Sequence, residues 1–305
     1  MSSNEQPVAA GLRWGIYAIL IAAAAGDMTG RLLAVNAVNR AELEQSSIRR
    51  RVQALEERLR DDGLSDAEIE QRVAEKLPDY EAAERRQRPF LSSNDRSRWL
   101  AIRALVDHGT FELDGIIDRH VWNTIHMVQH KNRDGERRLY SSKPPLLIVL
   151  LAGEYWLLQQ VTGWTLADEP YAVGRAMLLT VNVAPMMLLI GIVAAVAERL
   201  GTTDWGRIFV VAAAAFGTLL MPFAVVLNNH TVAAVSTAVA LAALLRIWFD
   251  DSPGLSWHAL CGLATAFTAA NDLPALAMVA GFGLVSAWCN RRAFLLGYLP
   301  AVGVV

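Results

Sequence analysis

Apolar residues run in long blocks through most of this chain, and one charged block interrupts them. Trp14 to Val38 is the first apolar segment. From Val173 onward, runs of membrane-spanning length alternate with short polar breaks. The pattern predicts spans at 13–37, 173–197, 207–227, 231–249, 257–270 and 273–289, and a last one starting near 294. The final stretch, Phe294 to Val305, carries no stop signal, so the chain is expected to be a C-terminally truncated fragment. The first segment has the charged flank and core length of a signal peptide at Arg13 and Trp14–Ala25. It continues as Leu32-Leu33-Ala34-Val35, which favours an uncleaved span. Asp27 and Arg31 stand four apart within it and can neutralise each other on one helix face.

Between the first span and Val173 the pattern changes. Residues 41–88 read as a helical hairpin. Ile48, Val52, Leu55 and Leu59 form one stripe, Gly63 breaks it, and Ser65-Asp66-Ala67-Glu68 is a capping-box pattern that restarts a helix through Ile69, Val73 and Leu77. Pro78 is expected to end that helix. A short helix is predicted from Ser97 to Asp107, then Gly109 and a polar stretch rich in histidine and basic residues. Residues 144–161 are apolar, amphiphilic at the end and short for a full span, so a helix lying at the membrane interface is predicted.

Composition sharpens this division. The 305 residues are 53% hydrophobic and 19% charged, yet residues 39–98 hold 27 of the 58 formal charges, which leaves the rest far more apolar than the average. The net charge of −2 points away from nucleic acid. Cys261 and Cys289 lie in apolar runs and read as small core residues. The predicted fold class is therefore all-α: a multi-pass transmembrane helix bundle with a large helical first external loop. Its parts are a tail and first helix at 1–38, the loop at 39–172, and a bundle of about six helices at 173–305. Arg199, Arg207, Arg246, Arg291 and Arg292 mark alternate connections as cytoplasmic. Counting back gives a cytoplasmic N-terminus and an external, periplasmic 39–172 in a cell (inner) membrane protein, provided 144–161 does not cross.

Four polar clusters then face outward. Ser93-Asn94-Asp95-Arg96-Ser97-Arg98-Trp99 places Asp95 just before the predicted helix, as its cap or as a general base at a helix N-terminus. Tyr140-Ser141-Ser142-Lys143-Pro144-Pro145 holds Lys143 where prolines open a helix, which suits an anion site and also an ordinary snorkelling lysine. Asn228-Asn229-His230 is a tight turn whose polar groups can contact a sugar or phosphate. Asn271-Asp272 is treated as a cap. His126 and His130 stand at i, i+4, a metal-binding spacing on a helix. His108 and His120 share the loop, no third ligand has a supporting spacing, and a divalent metal has no further support.

These residues resemble a known family. Asp95-Arg96-Ser97-Arg98-Trp99, a short helix, Gly109 and Lys143-Pro144-Pro145-Leu146 look like the first external loop of C-type-fold membrane glycosyltransferases, in the branch of protein O-mannosyltransferases and lipid A aminoarabinose transferases. Val173-Gly174-Arg175 matches the start of that branch's next span. The resemblance implies a polyprenyl-phosphate-linked sugar donor and a lipid, glycan or protein acceptor on the external face. It implies Asp95 as the catalytic residue, Lys143 on the donor phosphate, and support from Arg98 and Arg175. The chain departs from the branch at Ser142, where an acidic residue often precedes Lys-Pro-Pro, and at Asn228-Asn229-His230, which replaces another acidic position; Asn229 and His230 are kept as donor-site candidates. The 41–88 hairpin has no counterpart. The implied reaction is inverting transfer with Asp95 as general base. A lipid or small-solute transporter or flippase is the alternative from another class, with broken helices and mid-membrane ionisable groups as its signature. A non-catalytic scaffold presenting the hairpin is the third.

Overall fold

The computed structural model describes residues 9–35, 40–84, 90, 92–117, 122–251 and 253–305. The chain divides into two compact units. One comprises Met1–Leu33, Pro144–Trp164 and Ala172–Val305; the other comprises Ala34–Lys143 and Thr165–Tyr171.

The first unit is the apolar one. Its helices are α1 (Ala10–Ala34), α5 (Pro145–Thr162), α6 (Pro170–Leu178), α7 (Ala184–Leu200), α8 (Asp204–Phe216), α9 (Asn229–Phe249), α10 (Leu255–Asn271) and α11 (Leu276–Cys289), followed by short helical turns to Val302. Four are long and apolar enough to cross a membrane: α1, α5, the continuous α6–α7 rod over Pro170–Leu200, and α9. The fold is thus an all-α membrane bundle, as the apolar pattern predicts. Leu188, Leu219, Leu284 and Trp288 are each more than half exposed, which suits lipid and not water.

Polar contacts fix the direction of the rods. Arg13, near the start of α1, donates to both carboxylate oxygens of Glu198 at 2.8 and 2.7 Å and to Asp204 at 2.9 Å. Tyr17 adds a 2.7 Å bond to Glu198. At the other end of α1, the Leu33 carbonyl accepts from Arg175 at 3.3 Å. Hence α1 and α6–α7 run antiparallel, and the chain leaves α1 and enters α6 at the same end of the bundle. The opposite end gathers Arg199 on Asp250 at 2.7 Å and Arg246 over the Trp257 ring. Trp14, Trp205, Trp248, Trp257 and Trp288 are exposed there as an aromatic belt.

Three expectations are corrected here. The predicted span 207–227 is helical only to Phe216; residues 217–228 are irregular apart from a short 3-10 turn at Pro222–Val225. Pro222 cannot donate a backbone bond, and in a continued helix its ring would clash with the Thr218 carbonyl, so the helix ends before it. Side chains satisfy the freed backbone instead, as a span requires. Asn182 Nδ2 donates to the carbonyls of Ala224 at 2.9 Å and Val226 at 2.8 Å, and Asn228 Nδ2 to those of Phe223 and Val226. Asn182 sits in a π-helical turn, Leu179–Val183, placed just before Pro185, whose missing N–H forbids a regular α-turn. Second, α5 has 18 residues and meets the same length and composition criterion as the other spans, so shortness does not place it on the surface.

The third correction lies in the other unit. There α2 (Arg40–Asp61) and α3 (Asp66–Glu84) form the expected hairpin, closed by Gly63 at φ +82° and a Ser65–Glu68 hydrogen bond. Pro78 does not end α3. It lies on an exposed stretch, where water can satisfy the carbonyl of Ala74 that the proline leaves bare. Helix α4 (Ser93–His108) follows, and then a two-stranded antiparallel hairpin, β1 (Met127–Lys131) and β2 (Arg137–Ser141). Asp134-Gly135 makes its turn, with Gly135 at φ +82°.

Candidate functional site

Asp95, Arg98 and Lys143 belong to one unit, and α4 is the element that gathers them. Ser92, and not Asp95, is the N-cap: its side chain accepts from the Asp95 N–H at 3.0 Å. The helix starts four residues earlier than the sequence predicts, so Asp95 lies inside its first turn. Asp95 therefore does not cap the helix. Its Oδ1 accepts instead from the Trp99 indole N–H at 2.7 Å, one turn on. The run Asp95-Arg96-Ser97-Arg98 is buried, Asp95 to 1% exposure and Arg98 to 4%. Four consecutive buried polar residues need partners or a function.

Several bonds fix this run against the hairpin. Ser97 Oγ donates to the His126 carbonyl at 2.6 Å and meets Ser141 Oγ at 2.8 Å. Arg96 donates to the carbonyls of Asn123 at 2.7 Å and Phe90 at 2.9 Å. Phe90 stacks on Trp99 at 4.6 Å, which walls the carboxylate with apolar surface. Ser141 in turn accepts from the Lys143 N–H at 3.3 Å, so the end of β2 delivers Lys143 beside α4.

The electrostatics follow from that placement. Burial holds the Arg98 guanidinium below its ordinary pKa, opposed by the attraction of Asp95. Burial also lowers the Lys143 amine, and the charge of Arg98 lowers it further. Two cations thus stand close enough to repel, next to a buried carboxylate. Among the described residues, Lys143 Nζ makes no ion pair. An anionic ligand would relieve this repulsion.

The remaining candidates lie in the bundle unit. Arg175 donates to the Leu33 carbonyl, and its buried Nε has no acceptor among the described residues. Asn229 is buried and gives its amide to the Asn271 carbonyl at 2.7 Å. His230 is half exposed, 3.4 Å from Asp272 and edge-on to Phe223. The two turns that the sequence leaves separate, Asn228–His230 and Asn271–Asp272, are therefore one cluster. His126 and His130 lie on or beside strand β1 and not on a helix, so they do not share a helical face. His120 falls outside the described residues. Trp99 and Asn182 are the partners that sequence reasoning missed; the i, i+4 spacing of Asp95 and Trp99 was the available signal for the first.

Compared with known protein families, curated proteins and solved structures, the chain matches none.

Proposed function

We propose that this protein is an integral membrane glycosyltransferase that moves a sugar from a polyprenyl-phosphate donor to an acceptor on the non-cytoplasmic face. The observation that carries the reading is the buried Asp95 and Arg98, one turn apart on α4, with Lys143 in charge range of Arg98. A carboxylate beside two crowded cations suits a reaction in which one group takes a proton and a phosphate departs. Asp95 takes the proton of the acceptor hydroxyl or amine as that atom bonds to the anomeric carbon. The bond from that carbon to the phosphate oxygen breaks, and the lipid phosphate leaves with the electron pair, opposed by Arg98 and Lys143. Attack opposite the leaving group inverts the centre. No weight rests on Asn229, whose amide is already used, or on Arg175 and His230.

Orientation supports the reading. Arg13, Arg199, Arg207 and Arg246 lie at one end of the bundle, which the positive-inside rule makes cytoplasmic. The Leu33–Arg175 end is then non-cytoplasmic, and α5 begins and ends on it as a surface or re-entrant helix. The transporter reading draws on one observation, the broken segment 217–228. The amides there are occupied in holding backbone carbonyls, which favours a structural role.

The test is transfer by the full chain in liposomes, with polyprenyl-phosphate sugars and product detection by mass spectrometry. Glycosylated product that disappears in Asp95→Asn and Lys143→Ala supports the reading. Unchanged transfer in both variants overturns it.

A further inference from the structure

We propose that the α2–α3 hairpin joins two copies of this chain, face to face, in a four-helix bundle. The inference is independent of the reaction proposed above. Within its unit the hairpin's helices pack on each other, while α4 packs on β2. Two helices leave their own seam open. Of the described apolar residues in them only Ile69 is buried. Ile48, Val52, Leu55 and Leu59 on α2, and Val73, Leu77 and Tyr80 on α3, keep part of their surface exposed. Stacking a second pair of helices on the first closes such a seam.

Charge selects a second copy as the cover. Arg49, Glu56 and Arg60 each follow a seam residue of α2 by one position, and Glu70, Ala74 and Glu81 each follow one of α3. Each trio therefore lies about 100° round from its seam in the same sense. In an antiparallel pair, matching flanks share one broad face. On that face α2 carries Arg49 and Arg60, and α3 carries Glu70 and Glu81. All four are exposed, and none makes an ion pair among the described residues; Arg49 donates to the Gln45 carbonyl at 3.3 Å. The opposite flank of α3 differs, because its cations Arg72 and Lys76 pair locally with Glu75 at 3.3 Å and Asp79 at 3.5 Å. The Arg51–Glu84 ion pair, with Arg51 over the Tyr80 ring, fixes the register within the hairpin. It sets Arg49 level with Glu81, and Arg60 level with Glu70, to within about one turn, a distance that an arginine stem spans. A two-fold axis parallel to the helices lays α2 of each copy antiparallel on α3 of the other at the same level. Each arginine then meets a glutamate of the other copy, and Glu56 falls beside the small Ala74. An axis across the helices would instead set the Glu70 and Glu81 stripes of the two copies against each other, which like charge opposes.

The test uses the full chain in detergent, its mass measured by light scattering over a range of protein concentrations at low and high salt. A dimer is expected, and it should weaken as salt rises. Arg49→Glu with Arg60→Glu, and separately Glu70→Lys with Glu81→Lys, should each raise the dimer Kd about tenfold or more, since like charges then meet. Neither pair of changes touches the seam, so circular dichroism should show unchanged helix content. An equimolar mixture of the two variants should restore the dimer, because each reversed stripe meets its complement on the other copy. That restoration separates lost pairing from misfolding. A monomeric wild type, a dimer indifferent to both reversals, or a mixture no tighter than the variants alone overturns the proposal.

Discussion

The Trp99 indole donates to the Asp95 carboxylate at 2.7 Å, and both groups are buried. This bond orients a carboxylate that does not cap its own helix, a role filled by Ser92. Asparagine is isosteric and its oxygen still accepts from Trp99, so Asp95→Asn should keep the fold. As the proposed general base it should lose about 10²–10⁴-fold in transfer rate. Trp99→Phe removes a hydrogen bond to a charged acceptor and should destabilise by about 1.5–3 kcal/mol. Chemical unfolding beside the transfer assay checks both; equal loss of stability in the two variants would contradict the assigned roles.

Lys143 gives a prediction with two opposite signs. Its amine is held below the usual lysine value by burial and by Arg98, so the fold disfavours its charged form. Stability should therefore rise as pH climbs through the lowered folded pKa toward the unfolded lysine value. Lys143→Met should leave unfolding unchanged or slightly harder. Donor binding should move the other way. A phosphate favours the charged amine, so affinity should be highest below the folded pKa, fall above it, and drop about tenfold or more in Lys143→Met. Titrating a polyprenyl phosphate against pH, wild type beside variant, measures this; a pH-independent affinity would remove Lys143 from the site.

Asn182 tests the broken span. Its amide donates to the Ala224 carbonyl at 2.9 Å, whereas Asn228 also covers Phe223 and Val226. Asn182→Leu keeps the volume and orphans that carbonyl, for an expected loss of about 1–3 kcal/mol. Unfolding in mixed micelles reads it. No loss would mean that residues 217–228 do not depend on this contact.

Hydropathy made the bundle legible, because spans need length and apolarity and little else. It could not show the break after Phe216. The irregular stretch is as apolar as a helix, and its cause is local, Pro222 with a distant Asn182 to repair it. In the other unit the α2–α3 hairpin was readable from its stripe and Gly63. The β hairpin was missed although Asp134-Gly135 announces it, since the flanking residues are polar and barely alternate. For the site, residue types pointed to Asp95 and Lys143, but not to the N-cap at Ser92 that places Asp95 inside the first turn of its helix. The Ser92-x-x-Asp95 spacing carried that signal. Burial of four polar residues in a row is a tertiary fact that no local pattern contains.

Topology supplies the last prediction. By length and composition α5 can cross a membrane, and a hydropathy count would let it. Contacts between α1 and the α6–α7 rod lead to a different expectation. Arg13 meets Glu198 at one end, and Leu33 meets Arg175 at the other, so α1 and α6 join the intervening chain at one face. An even number of crossings must lie between them. The described elements from 40 to 143 are charged helices and a polar hairpin, none able to pair with α5 as a second crossing. We therefore predict that α5 enters and leaves on one side. Single cysteines at Val35, Ser142 and Asp168, with Cys261 and Cys289 replaced, should all label from the same face with a membrane-impermeant thiol reagent. A cysteine at Thr202 should label only from the opposite face. If Ser142 and Asp168 label from opposite faces, α5 is a true span, and the placement of Asp95 and Lys143 on the non-cytoplasmic side falls with it.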